Sequence, residues 1–123
     1  MRFNGICLIT KDVSTLRDFY KNVLQADTEG DDKFTMIATR GAELSIFAEN
    51  GMERMAPGSM QGSGCGKYTL EFEVKDVDQE YQRLKTMGLI FVKPPTTQTW
   101  GRRSVWFRDP DGNIINFFAK VVS

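Results

Sequence analysis

Trp100 to Phe118 reads WGRRSVWFRDPDGNIINFF, and its centre, Asp109-Pro110-Asp111-Gly112, is the sharpest local signal in the chain. Asp109 and Asn113 have short polar side chains that bond neighbouring backbone groups, Pro110 presets the bend, and Gly112 tolerates positive φ. The turn contains no chemistry of its own. It joins two strands, read from Gln98 to Arg108 and from Asn113 to Val121, both rich in β-branched and aromatic residues.

Working outward, Lys67 to Lys75 (KYTLEFEVK) alternates strictly, with Leu70, Phe72 and Val74 on one face and Thr69, Glu71 and Glu73 on the other. Asp76 caps a helix to Met87, and Gly88 suits its C-terminal cap. Leu89 to Lys93 is extended, and Pro94-Pro95 breaks the chain before the strand at Gln98. This half reads βαβββ. The other half follows the same order: a strand from Phe3 to Thr10, a helix from the Asp12 cap through Leu24, a turn-rich passage from Gln25 to Asp32 with room for a short strand, and a hairpin of Lys33 to Thr39 with Ala42 to Glu49.

Between the halves, Asn50 to Gly66 (NGMERMAPGSMQGSGCG) has five glycines, three methionines and no period. It reads as a connector, either a flexible surface loop or a methionine-bearing flap over a pocket, since thioethers adapt to apolar ligands. The organisation is therefore one domain over residues 1–123, with module 1 at about 1–49, the connector at 50–66 and module 2 at about 67–123. Internal register supports a duplication. Lys11-Asp12-Val13 recurs as Lys75-Asp76-Val77, 64 residues on, and Gly41 to Ala48 lies on Gly112 to Ala119, 71 residues on, with glycine, phenylalanine and alanine coinciding.

Composition narrows the function. A chain of 123 residues supports a core without disulfides or structural metal. Sixteen basic and sixteen acidic side chains leave no basic footprint for nucleic acid or an anionic membrane surface. No apolar run approaches the length of a membrane span. The N-terminus, MRFNGICLIT, lacks the small-residue cleavage site of a secretory signal, so a reducing cytoplasm is expected. There is no histidine, which excludes histidine-based triads, imidazole-ligated zinc and the two-histidine iron triad.

In this order of elements the chain resembles the vicinal oxygen chelate superfamily, which contains glyoxalase, the bleomycin-resistance proteins, fosfomycin-resistance enzymes and extradiol dioxygenases. The resemblance runs through KDVSTLRDFYKNVL (Lys11 to Leu24), FEVKDVDQEYQRLKTMG (Phe72 to Gly88) and the closing strand–DPDGN–strand. It implies an α+β fold in which two βαβββ modules form an eight-stranded curled mixed sheet, a cup with helices on its convex side, and it implies a homodimer. Metal-dependent members bind their ion through the first and last strands of each module. Those positions correspond here to Gly5, Ser45, Thr69 and Asn116, none of which is a strong first-row metal ligand. No metal and no cofactor are expected, which places the chain with the metal-free, bleomycin-resistance-like branch.

Strand parity extends the inward set to Cys7, Ile9, Glu43, Phe47, Glu71, Glu73, Ile114 and Phe118. Arg102, Ser104 and Trp106 join it if Val105 and Phe107 are core. The candidate ligand-binding residues are Ser45, Phe47, Thr69, Glu71, Trp100, Arg102, Trp106, Asn116 and Phe118. They make a mixture of aromatic, neutral polar and acidic surface that suits a small organic molecule. Phe47 and Phe118 stand at positions that are more often plain packing than ligand contacts. Glu71, in mid-strand, needs a partner such as Arg102, Arg103 or a cationic ligand. Trp100 closes the cup mouth, meets a partner subunit or simply packs. Cys7 reads as a small buried hydrophobe and Cys65 as exposed. A disulfide between them is possible in principle but is not expected in cytoplasm.

Three functions fit: a metal-free protein that binds or sequesters a small organic, antibiotic-like molecule, a lyase or isomerase that uses Glu71 or Tyr68 as proton carrier, and a catalytically silent homologue.

Overall fold

Asp12 stands between the strand β1 (Gly5–Thr10) and the helix α1 (Val13–Leu24), and its carboxylate accepts from the Thr15 backbone N–H at 3.1 Å and the Thr15 hydroxyl at 2.7 Å. Asp76 holds the same place between β5 (Thr69–Glu73) and α3 (Val77–Leu84), accepting from the Gln79 N–H at 3.1 Å. The repeated Lys-Asp-Val is thus a repeated helix N-cap, in which a short carboxylate satisfies a backbone donor that the first turn leaves free.

The computed structural model describes residues 1–121; positions 122 and 123, read as the end of module 2, lie outside the described residues. The remaining elements are β2 (Thr28–Gly30), β3 (Phe34–Ile37), β4 (Glu43–Ala48), α2 (Glu49–Met55), a 3₁₀ turn at Lys85–Met87, β6 (Phe91–Thr97), β7 (Arg102–Arg108) and β8 (Ile114–Lys120). All eight strands are accounted for in two mixed four-stranded sheets of one topology, β1-β4-β3-β2 and β5-β8-β7-β6. In each sheet the module's first and last strands pair in parallel and the others are antiparallel. The chain divides into two compact units, the first spanning Met1–Gly64 and the second beginning at Cys65.

In the first unit, α1 lays Leu16, Tyr20 and Val23 against Ile37, Leu44 and Ile46, all buried. In the second, a run of edge-to-face rings connects Tyr81, Phe91, Phe107, Phe117 and Phe72, with centroids 5.1 to 6.2 Å apart. Full burial of each such side chain contributes about 1.5–3 kcal/mol, so these faces, rather than helix propensity, hold the helices in place.

Three features differ from the sequence reading. First, Pro94-Pro95 does not break a strand: both lie inside β6, which pairs only with β7 and shifts register on either side of Lys93. An edge strand tolerates proline because its outer N–H groups have no ladder partner to lose. The break comes at the tight turn before Gly101, so the seventh strand starts at Arg102 rather than at Gln98. Second, the connector begins as a helix. Glu49–Met55 has no side-chain cap and no buried residue, which is why no period announces it. It packs on β4 and β1, and Glu53 accepts from the Gly58 and Met60 N–H groups to fix the turns that follow. Third, Cys7 is exposed, on the face of β1 opposite the core residue Leu8.

Candidate functional site

The face of the second sheet turned away from its helix is open at Glu71, while Ser104, Asn116 and Phe118 on it are buried; it is set by the pairs Glu71 with Asn116, Asn116 with Trp106, and Phe118 with Ser104. Its opposite face carries Leu70, Val105, Phe107, Ile115 and Phe117, all buried, so the condition that placed Arg102, Ser104 and Trp106 outward from the helices is met. The turn that links β7 and β8 keeps this register rigid. Asp109 accepts from the N–H groups of Asp111 and Asn113, both at 2.9 Å, and from the Asn113 side chain at 2.8 Å.

On that face, Asn116 donates from Nδ2 to Glu71 Oε2 at 3.1 Å, and Arg102 Nη1 lies 3.7 Å from the same oxygen. The Arg102 guanidinium sits over the Phe118 ring, 3.9 Å from its centroid, and the Lys93 ammonium sits over the Trp106 ring at 5.5 Å. Glu71 is exposed rather than buried, so burial does not force a partner on it; of the two arginines expected near it, Arg102 is the one on its face. Arg103, one residue on, points to the helix side and bonds Asp78 on α3 through two contacts of 2.8 Å. Asn116 is 5% exposed, and its Oδ1 is buried without a hydrogen-bond partner among the described residues.

Thr69 lies on the same face, one pair beyond Glu71. Ser45 and Phe47 belong to the first unit's sheet. Ser45 sits between Cys7 and Met36, while the Phe47 ring packs edge-on to Phe34 at 6.0 Å and beneath Gly51 of α2. Trp100 stands in the β6–β7 turn, 70% exposed. Six of the nine candidates thus share one sheet face. Lys93 escaped the sequence reading because the register shift between Phe91 and Lys93 breaks period-two alternation, so parity counted from Phe91 would put it on the helix side.

Tyr68, a candidate proton carrier, donates its hydroxyl to Asn113 Oδ1 at 3.0 Å. Burial, with the nearby Asp109 and Asp111 carboxylates, pushes its pKa up. It is a tie to the DPDGN turn and is poorly suited to accept a proton near neutral pH.

The family's metal does not fit these residues. A Cβ at position 5 would collide with the Glu43 carbonyl oxygen, so that strand position offers no ligand. Ser45, Thr69 and Asn116 offer only neutral oxygens, which bind a first-row divalent ion weakly. Among the described residues no group of three histidine, cysteine or carboxylate side chains is positioned to hold an ion.

Two clefts lie in the first unit. One of about 610 Å³ is lined by Lys11, Asp32, Lys33, Glu49, Glu53 and Arg54 among others. Another, of about 450 Å³, is lined by residues that include Asp27, Glu29, Met36 and Glu43. Neither contains one of the nine candidates. No helix among the described residues is long and apolar enough to cross a membrane.

The chain belongs to the glyoxalase/bleomycin resistance protein/dioxygenase superfamily, whose family model matches residues 2–117. It is similar to the uncharacterized protein YraH of Bacillus subtilis, 26% identical over 96% of this chain and 98% of that protein. A bleomycin resistance protein of Geobacillus stearothermophilus is 34% identical over a shorter stretch, covering 48% of this chain and 46% of that protein. The fold is shared with a glyoxalase/bleomycin resistance protein/dioxygenase family enzyme from Burkholderia phytofirmans, at a TM-score of 0.86 and 17% identity over 98% of this chain and 100% of that one.

Proposed function

We propose that this protein binds a small organic molecule without the help of a metal, acting as a homodimer in the cytoplasm. The observation that carries the reading is the open face of the second sheet. There Glu71, Asn116 and Arg102 form one polar cluster beside Phe118 and Trp106, so hydrogen-bonding and aromatic groups converge on rigid strands. The residues at the family's metal positions support the metal-free part, since a glycine and neutral side chains stand where ligands are required. The likeness to a bleomycin resistance protein supports sequestration rather than turnover, and it covers half of each chain.

Native mass spectrometry of the purified protein, combined with elemental analysis, tests the reading. The expected result is a dimer that holds or takes up small aromatic compounds at one per subunit, with binding lost in Trp106→Ala. A stoichiometric transition metal that is needed for binding would overturn it.

A further inference from the structure

We infer that the ligand of this face is an organic anion that also carries an N–H or O–H donor. The inference rests on the binding reading above and names the chemistry of its ligand. Both aromatic rings on the face already have a cation over them: Arg102 covers Phe118 and Lys93 covers Trp106. Over its rings the face therefore presents cations rather than bare π surface, beside the exposed carboxylates of Glu71 and Glu73. Arg102 is not used up by Glu71, because 3.7 Å is beyond hydrogen-bond reach, and its side chain is about one-third exposed. A guanidinium fixed on a ring, with free donors in a planar fork, is built to bind a carboxylate or phosphate through two bonds.

The Glu71 oxygen that faces Arg102 already accepts from Asn116 Nδ2, which turns Asn116 Oδ1 away from it. That oxygen is a buried acceptor with no partner among the described residues, in a side chain nineteen-twentieths buried. A buried amide oxygen left in this state is costly, and a ligand donor reaching it recovers that cost. An anion for Arg102 and Lys93 and a donor for Asn116 thus define one ligand class. A cationic ligand would have Glu71 and Glu73 to meet, and Glu71 is already shared by Asn116 and Arg102.

The test uses benzoate, the three hydroxybenzoates and benzamidine as probes, with affinities measured by titration calorimetry on the dimeric protein. Benzoate is expected to bind at least tenfold tighter than benzamidine, and one hydroxybenzoate several-fold tighter than benzoate. Arg102→Gln should weaken benzoate about tenfold, and Arg102→Lys, which keeps the charge and loses the fork, by less. Glu71→Gln, which keeps an acceptor for Asn116 and removes only the charge, should tighten benzoate several-fold. If benzamidine binds better, or Glu71→Gln weakens benzoate, the anion assignment is overturned and the binding face stands. If no hydroxybenzoate exceeds benzoate, the donor assignment to Asn116 fails. If no probe binds, both the inference and the reading beneath it fall.

Discussion

The Arg102 guanidinium lies 3.9 Å from the centroid of Phe118, while Arg103 beside it reaches the other face of the same sheet to grip Asp78. Adjacent arginines of one strand thus serve opposite faces, one at the candidate site and one fixing α3. Arg103→Gln should lower stability and leave ligand affinity unchanged, whereas Arg102→Gln should do the reverse. Both side chains are about one-third exposed, so the stability effect of either is limited to roughly 1 kcal/mol or less. Urea denaturation beside probe titration separates the two.

Gly51 is the helical residue for which alanine should be costly. A Cβ there would lie 2.8 Å from two ring carbons of Phe47, so alanine requires that ring to shift. Alanine ordinarily favours a helix interior over glycine by about 1 kcal/mol. Gly51→Ala is nevertheless expected to destabilise the first unit, and Phe47→Leu to relieve the effect. A double-mutant cycle on thermal unfolding should give a non-zero coupling between these positions. Simple additivity would show that α2 does not rest on that ring.

The DPDGN turn should behave as a closed network rather than as a flexible corner. Asn113→Ala removes partners of both Asp109 and Tyr68, and the cost should be about 1–3 kcal/mol, as for other buried polar groups left unpaired. Tyr68→Phe loses one hydrogen bond and should cost about 0.5–1.5 kcal/mol. Chemical denaturation measures both, and a cost for Asn113→Ala no larger than that for Tyr68→Phe would contradict the network.

Acid should weaken the first helix through its cap. Hydrogen bonds from the Thr15 side chain and backbone, and then from Ser14, lower the Asp12 pKa in the folded chain below the unfolded value of about 3.9. The ionised cap therefore stabilises the fold fully above that value, and the contribution is lost as pH falls through the folded pKa. Asp12→Ala should be less stable than the parent chain at pH 7, with the difference shrinking below about pH 4. A difference that stays constant from pH 7 to 3 would sink this account of the cap.

Much of this was legible in the sequence because it rests on local rules. The two Lys-Asp-Val caps, the DPDGN turn and the alternation of Thr69 to Val74 each follow from neighbours in the chain, and parity carried Arg102 and Trp106 to the same face as Asn116. What escaped depends on contacts made at a distance. Helix α2 exists through its seat on β4 and through Glu53, with no amphipathic stripe to announce it. Strand β6 keeps its prolines because it is an edge, a property of sheet order and not of local composition. Lys93 is placed by the register shift in β6, and Cys7 is exposed on the face of β1 opposite Leu8.

The central claim is that the open face of the second sheet is the ligand site. Backbone amide chemical-shift mapping during a benzoate titration tests it most directly. The account predicts shifts concentrated at Thr69, Glu71, Arg102, Trp106, Asn116 and Phe118, and lost in Trp106→Ala. Shifts confined to the cleft lined by Lys11, Lys33 and Arg54, or scattered over both units and unchanged in that variant, would contradict it.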